Sequence, residues 1–316
     1  MNKKSVIITD SDFGDIDVER VIFDQAGYKL ELRQCRTEED IIKLCGSADG
    51  LLVQYAPMSS TVLSQLPNLR AIVRYGTGLN GIDLAFAEEK KIKVSSVPDY
   101  CTQEVAEHTI ALILAATRGV VSSAIQIRDH TWPNAVSFSS VRTLKGSSLG
   151  LIGFGRISRR VAYLAQGFGV SIKVYDPYVD FSSLGEIGVV SANFQEVVAC
   201  DVVSLHVPLT SETEAMVDST FIRAMSKNSV LVNVSRGGLI DEDALLQGLS
   251  QKTPLIAALD VLTIEPIQEN HPFLNHPQVI LTPHIAFYSQ KSLIRLRKNA
   301  AEELVDLLSS KITVSK

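Results

Sequence analysis

The sequence predicts an α/β fold with a doubly wound parallel sheet and a second, smaller α/β unit. Two observations carry this reading. Short β-branched apolar runs alternate with amphipathic stretches along the whole chain, and the alternation breaks once, near Pro98-Asp99, before it resumes. In the first series, Ser5 to Thr9, Gly50 to Val53, Ala71 to Arg74 and Ile92 to Ser95 read as strands of a small parallel unit. Thr102 is read as the N-cap of a long bridging helix whose pattern runs through Val105, Ala106, Thr109, Ile110, Ile113 and Leu114. A polar loop with Trp132, Pro133 and Lys145-Gly146-Ser147 leads into the second series. Its strands are expected at Leu149 to Ile152, Ile172 to Tyr175, Val202 to Leu205, Val230 to Asn233, Ile256 to Leu259 and Val279 to Leu281, and six strands with intervening helices imply the doubly wound sheet. The last helix, from about Ser289 to Leu308, follows that sheet and is expected to pack back on the first unit.

Composition narrows the function classes. The chain has 316 residues, 46% hydrophobic and 21% charged, an ordinary globular balance with length for one or two cores. A net charge of -5 without a basic block speaks against a nucleic-acid partner, whose phosphates need clustered Lys and Arg. Cys35, Cys45, Cys101 and Cys200 show no C-x-x-C spacing, so neither a metal site nor a disulfide framework is expected. The basic start Met1-Asn2-Lys3-Lys4 is followed by an apolar run, Val6 to Ile8, too short for a signal peptide. The longest apolar run, Ile110 to Ala116, falls short of the roughly twenty residues a membrane span needs. A soluble cytoplasmic protein with no membrane partner is expected.

Gly153-Phe154-Gly155-Arg156-Ile157-Ser158 follows an apolar strand and opens a helix. In that context Gly153 allows a sharp turn and Gly155 lets the backbone approach a pyrophosphate. The helix start at Arg156 and Ile157 offers unpaired N–H groups and a partial positive charge. Ser158 stands at the third position, small enough for close helix–strand packing. About twenty residues on, Asp176 ends the next strand, where a carboxylate accepts from adenosine ribose hydroxyls and repels a 2'-phosphate. The cofactor expected is therefore NAD.

Three further segments place polar residues after strands, where open α/β sheets bind ligands: Asn233 to Gly238, Leu259-Asp260-Val261 with Glu265-Pro266, and Thr282-Pro283-His284. An Arg, a Glu and a His converging on a nicotinamide suit reduction of a 2-keto acid. Arg236 would bind the substrate carboxylate and polarise the carbonyl through its planar fork. His284 would exchange a proton with the carbonyl oxygen, and Glu265, if hydrogen-bonded to it, would favour the imidazolium. Each residue alone has a plainer reading as a solvated or structural side chain.

Together these segments resemble the D-isomer-specific 2-hydroxyacid dehydrogenase family over nearly the whole chain. The stretches that carry the resemblance are Arg74-Tyr75-Gly76-Thr77-Gly78, Val105-Ala106-Glu107, Leu151 to Ile157, Leu205 to Thr210, Asn233 to Gly238, Ala258 to Val261 with Glu265-Pro266, and Leu281 to His284. The family commonly has Asp-Asn where Asn80-Gly81 stand here. The resemblance implies a Rossmann NAD-binding domain at 101–287 inserted into a smaller flavodoxin-like catalytic domain made of 1–100 and 288–316. It implies that the backbone at Tyr75 and Gly76 holds the substrate carboxylate alongside Arg236, and that Thr77 lies near the cofactor. Val207, Pro208 and Thr213 would line the cofactor, Val234 and Ser235 would sit beside the nicotinamide ribose, and Asp260 would meet the carboxamide. The bridging helix is the family's usual dimer contact, so a homodimer is implied.

Tyr175 to Tyr178 and Phe287-Tyr288-Ser289 look most like the subgroup with the C-terminal-binding-protein corepressors and their bacterial dehydrogenase relatives. An NAD-sensing interaction module is thus the alternative outside enzymology. Within it, a D-3-phosphoglycerate dehydrogenase or a glyoxylate/hydroxypyruvate reductase are the alternatives. The sequence ends without the long tail of such regulators and without the regulatory domain of long phosphoglycerate dehydrogenases, so a plain enzyme is the expectation. No Arg or Lys lies in Gln54 to Pro57, which disfavours a phosphorylated substrate; that loop with Tyr75, Tyr100 and Phe287 is expected to shape specificity. His206 is read as support for the cofactor loop. His108, His130, His271 and His276 show no metal-ligand spacing and are given no chemistry. Cys101 reads as a small buried hydrophobe and Asp241-Glu242-Asp243 as a helix start.

Overall fold

A computed structural model describes residues 4–132, 141–183 and 188–310; Met1 to Lys3 and Pro133 lie outside the described residues. The chain forms two compact units, Met1–Cys101 with Ser289–Lys316, and Thr102–Tyr288.

The first unit begins with β1 (Ser5–Ile8), α1 (Asp17–Gln25), β2 (Lys29–Leu32), α2 (Glu38–Cys45), β3 (Gly50–Val53), α3 (Ser60–Ser64), β4 (Ala71–Arg74), α4 (Leu84–Glu89) and β5 (Lys93–Ser96). Its sheet is parallel with the order β2-β1-β3-β4-β5, the flavodoxin-like arrangement. All four residues of β3 are buried, as expected of a central strand covered on both faces. Strand β2 was absent from the sequence reading. It is an edge strand of alternating charge, Lys-Leu-Glu-Leu, and only Leu30 is fully buried.

The second unit contains α5 (Thr102–Arg118), α6 (Val120–Arg128), β6 (Ser148–Ile152), α7 (Arg156–Gln166), β7 (Ser171–Tyr175), β8 (Val190–Ser191), α8 (Phe194–Val198), β9 (Val202–Leu205), α9 (Ser219–Ala224), β10 (Val230–Asn233), α10 (Glu242–Ser250), β11 (Ile256–Leu259) and β12 (Val279–Leu281). The sheet order is β12-β11-β10-β9-β6-β7-β8, the Rossmann order with one further parallel strand. Seven strands are present instead of six. The extra one, β8, is an exposed two-residue edge with no apolar run to announce it. Thr102 is the first residue of α5 and not its cap. The core between sheet and helices gathers Val203, Leu205, Leu231, Leu245, Leu259 and Phe273, among others.

The chain returns to the first unit through α11 (Gln290–Ser309). Ser289 caps it: its hydroxyl accepts from the Ser292 N–H while the Ser292 hydroxyl accepts from the Ser289 N–H. Its buried face is Leu296, Arg297, Ala300, Ala301, Leu304 and Leu308, at helical spacing. This face lies on β3, where a Cβ on Gly50 would stand 2.9 Å from a Leu308 methyl.

The second sheet ends in an aligned row of residues. Ile152 pairs with Tyr175 and Leu205, Leu205 with Asn233, Asn233 with Leu259, and Leu259 with Leu281. These six residues form one row across six strands. The next residue on each strand is Gly153, Asp176, His206, Val234, Asp260 or Thr282. No single helix among the described residues is long and apolar enough to cross a membrane. Only α5 and α6 together pass that test, across a 63° bend, and α5 buries one face, Val105, Ala106, Thr109, Leu112, Ile113, Ala116 and Thr117, within its own unit.

Candidate active site

The glycine loop follows directly on the row. Gly153 has φ +89, and a Cβ there would stand 2.7 Å from the His206 carbonyl oxygen and 2.9 Å from a Val207 methyl, so only glycine fits. Gly155 precedes α7 without a side-chain cap, and a Cβ on it would meet nothing within 4 Å. The first N–H groups of this 11-residue helix therefore have no side-chain cap, with Arg156 exposed and Ile157 half-buried beside them. This geometry suits a pyrophosphate. Ser158 is fully buried where α7 meets the sheet. Asp176 has a second job that the sequence did not reveal: Oδ2 accepts from the Phe154 N–H at 2.7 Å and Oδ1 from the Tyr178 N–H at 2.9 Å. It fastens the loop while each oxygen keeps acceptor capacity for a ribose hydroxyl.

Across the sheet, His284 and Glu265 are in contact: Nδ1 lies 2.6 Å from Glu265 Oε2. Glu265 Oε1 accepts from the Leu262 N–H at 2.9 Å, so the carboxylate is held from both sides. Burial would raise its pKa, but the hydrogen bonds from His284 and Leu262 outweigh burial and hold it below the ordinary value. With Nδ1–H committed to Glu265, Nε2 is left as the nitrogen that can exchange a proton. The His284 backbone has φ +53, a left-handed conformation uncommon outside glycine, and its N–H bonds the Asp260 carbonyl at 2.8 Å. The Phe287 ring meets the His284 ring edge to face at 6.2 Å.

Arg236 follows β10, the strand paired with the one that leads to Asp260. Its Nη1 donates to the Ser235 carbonyl at 2.6 Å, and its own carbonyl accepts from the Asn233 amide at 2.8 Å. Ser235 donates its hydroxyl to the Leu205 carbonyl, and Val234 is buried. Gly237 touches the loop that carries Glu265, since a Cβ on it would overlap the Leu262 carbonyl and the Thr263 nitrogen. Val207 and Pro208 follow β9, and the Thr213 hydroxyl closes their turn by donating to the Pro208 carbonyl at 2.6 Å.

Asp260 is 2% exposed and turned into its own chain. Oδ1 accepts from the Thr282 hydroxyl at 2.5 Å and the Ile285 N–H at 3.0 Å, and Oδ2 from the Ala286 N–H at 2.9 Å. Burial would raise its pKa, yet hydrogen bonds from His108, Thr282, Ala286 and Ile285 keep it below the usual carboxylate value. His206 pairs through Nε2 with the Ser204 hydroxyl at 2.9 Å, while its buried Nδ1 has no partner among the described residues. Burial disfavours the charged ring and lowers its pKa to about 4, which suits a neutral support for the glycine loop.

In the first unit, the Tyr75 side chain points inward. It is 3% exposed, and its hydroxyl donates to Glu19 Oε1 at 2.9 Å. Tyr100, also expected to shape specificity, is equally buried, so neither ring offers a specificity surface within this unit. Buried Arg297 clamps the same Glu19. Its Nε donates to both carboxylate oxygens at 2.9 and 3.1 Å, and its Nη2 to Oε2 at 2.7 Å and to Asp15 Oδ1 at 2.7 Å. The clamp fixes Tyr75 just before Gly76, whose φ is +129, and exposed Thr77. Among the described residues no group of His, Cys, Asp and Glu could hold a metal ion.

Residues 110–286 match the sequence model described as D-isomer specific 2-hydroxyacid dehydrogenase, NAD binding domain. The chain belongs to this family. It is 33% identical over 259 residues to D-3-phosphoglycerate dehydrogenase of Bacillus subtilis, an alignment covering 81% of this chain and 49% of the relative. The chain thus spans about half the length of that relative. It is 31% identical over 309 residues to glycerate dehydrogenase of Methylorubrum extorquens, covering 96% of this chain and 94% of that one. A solved structure of D-lactate dehydrogenase from Aquifex aeolicus, complexed with NAD and lactic acid, has a TM-score of 0.83 at 29% identity and covers 94% of this chain and 93% of that one. NAD is accordingly the cofactor class of this family member.

Proposed function

We propose that this chain is an NAD-dependent D-2-hydroxyacid dehydrogenase that interconverts a small 2-keto acid and the corresponding 2-hydroxy acid. The observation that carries the reading is the 2.6 Å contact between His284 Nδ1 and Glu265, one strand away from the segment that bears Arg236. NADH, when bound, supplies the hydride. The uncapped start of α7 at Arg156 and Ile157 receives its pyrophosphate, Asp176 its adenosine ribose, and the remaining acceptor position of Asp260 Oδ2 its carboxamide. Val207, Pro208 and Thr213 would line the cofactor, and Val234 and Ser235 would sit beside the nicotinamide ribose.

In the reduction, the N–H groups of Arg236 not spent on Ser235 bind the substrate carboxylate and polarise the carbonyl. His284 Nε2 gives its proton to the carbonyl oxygen, and takes one back in the oxidation. Glu265 accepts Nδ1–H throughout, so the ring is held and the mobile proton stays on Nε2. The similarity to glycerate dehydrogenase and the absence of Lys and Arg from Gln54 to Pro57 favour an unphosphorylated substrate. The reading extends to a cytoplasmic homodimer: no residue of α6 is buried, and Val120 and Ile127, seven positions apart on one face, are about half exposed, apolar surface that a second copy would cover.

The test is NADH oxidation with pyruvate, glyoxylate, hydroxypyruvate, 2-ketoglutarate and branched 2-keto acids. At least one should be reduced, and His284→Ala should lose about 100-fold or more in kcat, the low end of a general-acid contribution. Turnover of none, or near wild-type turnover by the His284 variant, would reject the assignment.

A further inference from the structure

We propose that His108, a residue of α5 outside the catalytic loops, is a positioning residue for His284. The proposal rests on the reading of His284 as the proton donor. His108 Nε2 lies 3.0 Å from Thr282 Oγ1 and 3.4 Å from Asp260 Oδ1. The Thr282 hydroxyl has a single proton, and at 2.5 Å from a carboxylate it donates that proton to Asp260. Thr282 Oγ1 can then only accept from the ring, so Nε2 must carry the hydrogen. A directed chain results, from His108 Nε2–H to Thr282 Oγ1–H to Asp260 Oδ1.

The two residues that receive this chain bracket His284. Thr282 precedes it by two positions. Asp260 holds the His284 N–H on its carbonyl and the following Ile285 and Ala286 N–H groups on its carboxylate. The bracket matters because His284 sits at φ +53, which the surroundings must hold in place. Asp260 and Glu265, which hold His284 and the two residues after it, both belong to the loop that follows β11. His108 instead reaches this pair of loops from a helix, the 17-residue α5, which packs against α7, β10 and β11. Proton transfer tolerates little misplacement, about 1 Å costing up to 100-fold, so a loop released from α5 should turn over slowly while still binding substrate.

Three variants test this with NADH and the best substrate of the 2-keto acid panel: His108→Leu, His108→Gln and His284→Ala. The leucine variant should lose about tenfold in kcat with the KM for the keto acid changed less than about threefold. Glutamine, whose amide N–H can replace Nε2–H, should recover activity to within about threefold of wild type. A packing role alone predicts the reverse order, since leucine suits a half-buried helix position better. Circular dichroism normalises each rate to folded protein. A leucine variant within twofold of wild type, or glutamine no better than leucine, overturns the inference. If His284→Ala stays active, the failure lies instead in the assignment of His284. Independently of turnover, long-range proton–nitrogen NMR should show His108 as the Nε2–H tautomer, and an Nδ1–H tautomer would also overturn it.

Discussion

Replacing Arg297 by Met should destabilise the first unit far more than the loss of one surface charge. Glu19 is 1% exposed, and two nitrogens of a single guanidinium make four hydrogen bonds to it and to its neighbour Asp15. Methionine keeps most of the side-chain volume but leaves the Glu19 carboxylate with the Tyr75 hydroxyl alone. Breaking a buried ion pair from one side costs about 3–5 kcal/mol, much of it the stranded partner. That corresponds to about 10²- to 10³·⁶-fold in an opening equilibrium at about 1.4 kcal/mol per decade. The assay is native-state hydrogen exchange followed by mass spectrometry, reading amides of β1, β3 and β4. A double variant, Glu19→Leu with Arg297→Met, should recover at least about 2 kcal/mol, because removing both charges leaves none stranded. An increase in exchange of less than about tenfold for Arg297→Met, or no recovery in the double variant, would refute the reasoning.

Three further expectations concern the second unit. Gly237→Ala should abolish most activity while NADH still binds, since its Cβ would overlap the backbone at Leu262 and Thr263 and push the Glu265 loop away; steady-state rates and NADH fluorescence titration separate the two. Glu265→Gln should lower kcat about tenfold or more at neutral pH, a share of the roughly 10²- to 10⁴-fold from acid–base catalysis. Because the folded pKa of Glu265 is lowered, the stability it contributes is complete above its ordinary value of 4.5 and is lost as pH falls through the lower folded value. The wild-type pH–rate profile should accordingly show no loss attributable to Glu265 between pH 5 and 8. His206 behaves oppositely to a paired histidine. Its folded pKa of about 4 lies below the ordinary 6.5, so the unfolded chain takes up a proton that the folded one refuses, and stability falls as pH drops from 6.5 toward 4. The slope should approach about 1.4 kcal/mol per pH unit at most, and urea midpoints at pH 7 and 5 should converge in His206→Gln.

The strands legible in the sequence are those whose residues are buried on both faces. Val202–Leu205 and Val230–Asn233 read directly as apolar runs because parallel central strands leave no polar face. Lys29–Leu32 and Val190–Ser191 escaped because edge position removes that signal. At the site, the glycine loop and Asp176 announce themselves by local spacing, and the structure adds the Glu265–His284 hydrogen bond across 19 residues. What sequence reasoning missed depends on distant pairings. His108 meets Thr282 across 174 positions, and Glu19 meets Arg297 across 278. A lone His on a helix and a lone Glu in an amphipathic stretch carry no mark of such partners. Gly237 stood in a motif, but the reason for it, contact with the Leu262 backbone, exists only in three dimensions.

The row from Tyr175 through Ile152, Leu205, Asn233 and Leu259 to Leu281 works as a ruler from which six loops are measured. Each loop starts one residue beyond it, so their lengths and contents can vary independently without disturbing the others. The converse is strict. One residue inserted inside any of these strands would advance its loop by about 3.3 Å and turn the following side chain to the opposite face. Insertions and deletions should therefore accumulate in the helices and in the loops past their first residue, and substrate preference should be exchangeable by grafting loops while the strands keep their length.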